Sequence, residues 1–238
     1  MLSFYCYAPE MTAPSIRARV REELTSEIKA VARRQLTTEG ANLSLRAVAR
    51  ELGMVSSAVY RYFPSRDDLL TALIIDCYNE LGEAGEKAVE GAEGLLSRWL
   101  AFGHGIRDWA LAHPAEYALI YGSPVPGYKA PQDTVGPASR TTTVIVKLLV
   151  EGYLAGELKG TDERPPLPPP LETEMRRAIN EIFPEMPVGL LARGMTAWVQ
   201  LFGVITFELF GRFNNFIEES RRDFFDHQMR VMARHVGM

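Results

Sequence analysis

"LSLRAVARELGMVSSAVYRYFPSRDDLL", residues 43–70, holds a short helical pattern that breaks at Gly53 and resumes at once as another. Ser44 is a good N-cap for a helix that turns Leu45, Val48, Ala49 and Leu52 inward, and Gly53 can take the left-handed backbone that ends it. That helix is about two turns long. Ser56 reads as the cap of the next helix, with Val59 and Phe63 facing in, and Pro64 stops it because the residue before a proline disfavours helical geometry. Met54 and Val55 are expected as apolar plugs between the two. A helix of about eight residues is on the order of 12 Å long, comparable with the width of the DNA major groove, so it can enter end-on while its predecessor lies across the backbone. The arrangement is a helix-turn-helix.

Upstream, Ile16, Val20, Leu24, Ile28 and Val31 recur at the spacing of one helical face, which predicts a helix over about 15–38 capped by Gly40. Downstream, "SRDDL" forms a capping box, Ser65 with Asp68, that opens a helix over about 66–88. Further helical patterns fall at about 93–113, 115–122, 134–155, 172–182, 188–211 and 216–235, with proline-bearing loops at 123–133 and 163–170. No alternating strand pattern is evident, and the fold class is all-α.

The chain of 238 residues is 47% hydrophobic, enough for one large domain or two ordinary ones with proper cores. Its net charge of −4 hides an asymmetry. Residues 10–66 hold ten Arg or Lys against six acids, a surplus of four, which leaves −8 for the remainder. A basic first quarter on an acidic body is expected when one end touches a polyanion. Cys6 and Cys77 suggest neither a disulfide framework nor a zinc site. Residues 1–12 lack the pattern of a secretory signal and read as a flexible tail, so a cytoplasmic protein is expected. The apolar stretch 197–211 is broken by Gln200 and Glu208 and falls short of the roughly 20 residues that span a bilayer, so it reads as a buried helix, and no membrane partner is expected.

The run from Gly40 to Leu70 resembles the tetracycline-repressor (TetR) family of bacterial transcription regulators. Ser44, Ala49, Leu52, Gly53, Ser56, Tyr60, Phe63, Arg66, Asp68 and Leu69 match its pattern, with Tyr62 where the family often has His. Within that frame, Ser44 and the helix start suit a phosphate, and Arg46 can reach the adjacent backbone or a groove edge. Ser56, Ser57 and Ala58 lead the second short helix into the groove, where serines bond to either base type and a methyl meets thymine. Tyr60 and Tyr62 offer hydroxyls to phosphates, and Arg66 a charge-assisted bond. Arg17, Arg19 and Arg61 are weaker candidates.

The resemblance implies a helix-turn-helix DNA-binding domain over 13–66 and a helical domain over 67–238 that dimerises and holds a small molecule. The segments "HPAEYALIYGSPVPGYKAP" (113–131) and "GMTAWVQLFGVITFELFG" (194–211) are similar to a C-terminal subfamily in which the Trp is commonly followed by a His-Gly pair, and Phe202 stands in that His position. The partners implied are double-stranded operator DNA, a second copy of the chain and a small effector, mainly apolar or aromatic. Trp99, Phe102, Ile106, Trp109, Tyr117, Tyr121, Tyr153 and Trp198 are the pocket candidates. Core packing is the competing reading, since pockets are themselves mostly apolar. Trp198, Leu201, Phe202, Ile205, Phe224 and Phe225 are expected at the dimer interface, because a helix apolar over more than one face needs cover.

No Walker-type loop, His-Glu-x-x-His, Gly-x-Ser-x-Gly or suggestive Cys-His spacing occurs, so neither an enzyme, a cofactor nor a metal is expected. A DNA-binding regulator or adaptor that takes no small molecule is the alternative, with "PPLPPP" as a polyproline ligand in its adaptor form.

Overall fold

The computed structural model describes residues 15–158, 166–184 and 186–238, so the expected tail and the start of the second proline loop lie outside the described residues. Among these, ten α-helices follow in order: α1 (Ile16–Glu39), α2 (Leu45–Glu51), α3 (Ser56–Tyr60), α4 (Arg66–Glu90), α5 (Leu95–Ala112), α6 (Pro114–Tyr121), α7 (Val135–Leu154), α8 (Pro169–Ile182), α9 (Val188–Leu209) and α10 (Arg221–Val236). The described residues contain no strand.

The chain divides into two compact units between Leu70 and Thr71, inside the continuous helix α4. In the first unit, Ile28, Val31, Ala32 and Leu36 of α1, Leu45, Val48 and Ala49 of α2, Val59 of α3, and Phe63, Leu69 and Leu70 are buried, with α2 packed on both α1 and α3. The expected apolar face of α1 is buried only in its second half, since Ile16 is 77% and Val20 47% exposed. Seven- and five-residue helices have too few internal hydrogen bonds to be stable alone, so α2 and α3 depend on this shared core.

In the second unit, α9 packs against α5, α7, α8 and α10, and α5 against α6, α7, α9 and α10. Trp99, Phe102 and Ile106 of α5 are fully buried with Leu148 and Leu149 of α7, Leu201 and Ile205 of α9, and Phe225, Met229 and Met232 of α10. The α4–α5 approach is close enough that a Cβ on Gly105 would lie 2.7 Å from the Ala88 Cβ and 3.0 Å from the Ala84 carbonyl oxygen. A buried ion pair crosses this core: Arg107 Nε and Nη2 of α5 donate to Glu208 of α9 at 2.8 and 2.5 Å, with the side chains 7% and 5% exposed. The Arg107 guanidinium also lies 5.5 Å from the Phe225 ring.

The helix boundaries differ from expectation where proline is concerned. The run at 163–170 reads as loop to its end, yet α8 begins at Pro169, because proline is well suited to the first helical turn where its missing N–H is no loss.

Candidate DNA interface and ligand cavity

The Ser44 hydroxyl caps α2 by accepting from Ala47 N at 3.4 Å. Leu52 ends the helix, and Gly53 follows at φ 65° with nothing within 4 Å of where a Cβ would stand. Glycine is needed there for its backbone conformation and not for space. Met54 N then closes the turn onto Ala49 O at 2.8 Å.

Two details of the turn correct the sequence reading. Val55, not Ser56, is the N-cap of α3, and Ser56 is its first residue. Val55 is also 71% exposed, so it plugs nothing, and Met54 alone of the pair is partly buried. The regular helix stops at Tyr60, and turn-like bonds carry the chain through Arg61 and Tyr62 to Phe63, whose N–H bonds to Val59 O at 3.1 Å.

With Val59 and Phe63 turned inward, α3 presents Ser57 and Tyr60 to the outside, with Ser56 and Ala58 partly covered and Arg61 exposed just beyond. Arg46 is exposed on α2. Tyr62 is half-buried beneath the Arg21 guanidinium, 5.5 Å from its ring centre, a pairing that the sequence does not announce because it joins residues forty-one positions apart. Arg66 has an internal task. Its Nη2 donates to Ala41 O at 2.6 Å and its Nη1 faces Asp67 at 3.4 Å, tying the start of α4 to the segment before α2. Ser65 caps α4 as expected, accepting from Asp68 N at 3.1 Å and donating to the Asp68 carboxylate at 2.7 Å.

In the second unit the aromatic residues expected around a ligand are mostly core. Trp99, Phe102, Ile106 and Tyr117 are fully buried and Trp109 is 8% exposed. The Trp99 indole donates to Met229 O at 2.9 Å, and the Tyr117 hydroxyl reaches Phe202 O at 3.2 Å and Thr206 Oγ1 at 2.9 Å. Tyr121 stacks on Phe202 at 4.3 Å, and Trp198 lies 5.6 Å from the same ring. Tyr153 is exposed at the far end of α7. Burial pushes the Tyr117 hydroxyl up to about 12 and raises Tyr121 further still.

A cavity of about 880 Å³ opens instead between α7, α8 and α9. None of the eight expected pocket residues lines it. Its walls are Val146 and Val150 of α7, Leu171, Met175 and Ile179 of α8, and Phe183, Met186, Leu191 and Met195, with Ser139, Thr142, Thr143, Lys147, Glu151 and Glu174 adding polar groups. The signal is present in the sequence as matching four-residue steps on α7 and α8, Val146 and Val150 against Leu171, Met175 and Ile179, which look like any buried helical stripe. Beside this lining, Arg140 of α7 lies across α4. It donates to Glu86 at 3.0 and 2.6 Å and to the Asn79 carbonyl at 2.8 Å. Gly82 makes room, since a Cβ there would sit 2.7 Å from the Arg140 Cβ.

The expected interface residues also need correction. Leu201, Ile205 and Phe225 are fully buried and Phe202 is 7% exposed within the chain's own core, so they have no surface left for a partner. Phe224 and Trp198 are partly covered. The apolar side of α9 that faces outward is Met195, Val199 and Phe207, with Gly203 exposed in the same four-residue row.

A capped helix-turn-helix on a basic unit, joined by one continuous helix to an all-helical unit, defines a DNA-binding regulator of transcription. Residues 28–73 match the family described as bacterial regulatory proteins, tetR family, and residues 99–232 match the tetracyclin repressor-like C-terminal domain. The chain belongs to the TetR family of bacterial transcriptional regulators, which are not enzymes. It is 36% identical over 221 residues to the HTH-type transcriptional regulator Rv1816 of Mycobacterium tuberculosis, covering 91% of this chain and 94% of that protein. The solved regulatory protein SCO4313 is 32% identical, with a TM-score of 0.75 over 92% of this chain and 98% of that one. RolR, solved in complex with resorcinol, shares the fold at 14% identity and a TM-score of 0.51, over 92% and 94% of the two chains.

Proposed function

We propose that the protein is a ligand-responsive repressor that binds a palindromic operator as a homodimer and releases it when a small, mainly apolar effector occupies the second unit. It acts in the cytoplasm, where the bacterial chromosome is. The observation that carries the effector is the cavity of about 880 Å³, a size typical of small-molecule sites, in a unit whose aromatic core is otherwise closed. The resorcinol held by RolR supports a small-molecule role for this fold.

DNA contacts come from Ser44 and Arg46 at the start of α2, from Ser56, Ser57, Ala58 and Tyr60 on α3, and from Tyr62 just after it. Arg61 joins them, and Arg66 acts mainly by holding α4 in place. The outward row on α9 is the proposed dimer face. A regulator that takes no small molecule is the competing reading. Selection of genomic fragments by the full protein, followed by operator titration with and without effector candidates, separates the two. A two-fold symmetric site released by a small molecule supports the proposal, whereas an asymmetric site bound by a single chain overturns it.

A further inference from the structure

The cavity between α7, α8 and α9 is elongated and aliphatic, and its shape bears on what it takes. Along α7 the lining residues run Ser139, Thr142, Thr143, Val146, Lys147, Val150 and Glu151, a helical stripe spanning twelve residue steps. At 1.5 Å per residue that is about 18 Å. Leu171, Met175, Ala178 and Ile179 form a facing stripe on α8. Phe183 is the only aromatic residue among the described lining.

The polar groups offer little for recognising a substituted ring. Thr143 donates to Ser139 O at 2.9 Å and Ser139 to Gly136 O at 2.8 Å, so both hydroxyl hydrogens are spent on their own helix. Glu151 is paired with Arg98 at 2.5 Å. Lys147 and Glu174, both exposed, mark the polar side of the groove. Methionines at 175, 186 and 195 give walls that repack around a flexible guest. Among the described side chains of α8 only Ile179 is buried, so most of that wall is held by the groove itself.

We infer that this groove binds a flexible alkyl or acyl chain lying along α7, and not a compact aromatic ring. The inference rests on the effector reading for its regulatory meaning, but the binding is tested directly. Calorimetry on the full protein with decanoate, decanol and resorcinol compares the two ligand classes. Ala178→Trp and Thr143→Trp, both at exposed positions on opposite walls, fill the groove without disturbing the core.

The expected result is binding of at least one ten-carbon probe, weakened at least about tenfold by each Trp, with thermal unfolding and ligand-free operator affinity retained. A preference for decanoate over decanol that Lys147→Met abolishes assigns the carboxylate end to Lys147. Undiminished alkyl binding in both variants overturns the inference, and so does binding of resorcinol alone. If decanoate fills the groove and operator affinity stays constant, the chain site stands and the effector reading fails. If an aromatic compound alone releases the operator, the effector reading stands and the chain site fails.

Discussion

Arg107 and Glu208 are charged residues closed off from water, and the two-point pairing with Arg107 is what makes the buried Glu208 tolerable, while Asp108 lies 3.5 Å from Arg107 Nη1. Glu208→Ala removes the closer, buried partner of the Arg107 guanidinium and should cost about 3–5 kcal/mol, whereas Arg107→Met with Glu208→Leu should recover most of it. Urea unfolding of the three proteins checks this, and additive losses in the double variant would count against it. The Tyr117 hydroxyl makes a second residue-level case. Its folded value of about 12 lies above the ordinary 10, so the stabilisation it contributes is complete below pH 10 and is lost as pH rises from 10 towards 12. Urea midpoints should fall through that window, and Tyr117→Phe should flatten part of the fall. A wild-type midpoint that stays constant from pH 10 to 12 contradicts the assignment. Neither case is legible in the sequence, because Arg107 and Glu208 stand 101 positions apart and Tyr117 and Thr206 stand 89 apart, and only helix packing brings each pair together.

Elements are far more legible than tertiary neighbours. Ser44 and Ser65 act through bonds to near neighbours, Gly53 through its backbone conformation and Pro64 through sterics on the residue before it, so their positions alone locate α2, the turn and the start of α4. Burial is harder to read, since periodicity identifies an apolar stripe but not what covers it. Thus Leu201 and Phe225, expected to meet a partner, face the chain's own core, and Val55 faces out. On α3 the division between inward Val59 and outward Ser57 and Tyr60 yields a prediction. Changing Ser57 or Ala58 should alter which operator sequence is preferred, while Tyr60→Phe should weaken all sequences alike. Arg61→Ala should lower the salt slope by about one for each phosphate that a subunit no longer neutralises, and Arg66→Ala should instead lower the unfolding midpoint by freeing Ala41 O. Fluorescence anisotropy over a salt series reads the slopes and urea unfolding the midpoints. An Arg66 variant that keeps its midpoint and loses slope reverses the assignment.

For the whole molecule, helix α9 has an inner face locked into the core and an outer row of Met195, Val199 and Phe207 open to solvent. Val199→Asp with Phe207→Asp should leave a folded monomer with operator affinity reduced by at least about a hundredfold, as judged by sedimentation and anisotropy, because one reader then engages one half-site. A double variant that still sediments as a dimer would place the interface elsewhere. In the same way, α4 runs unbroken from Arg66 to Glu90 and receives Arg140 on its second-unit portion, so the hydrogen bonds from α7 fall on the very helix that begins beside the DNA reader. The open row on α9 also bears on gene dosage. If the proposed dimer assembles through this row, then while most copies are still single the number of dimers rises with the square of the number of chains, so halving the output of the gene would remove about three quarters of the proposed repressor dimers. On the proposed function, the threshold of such a switch is set by synthesis rate as well as by the effector.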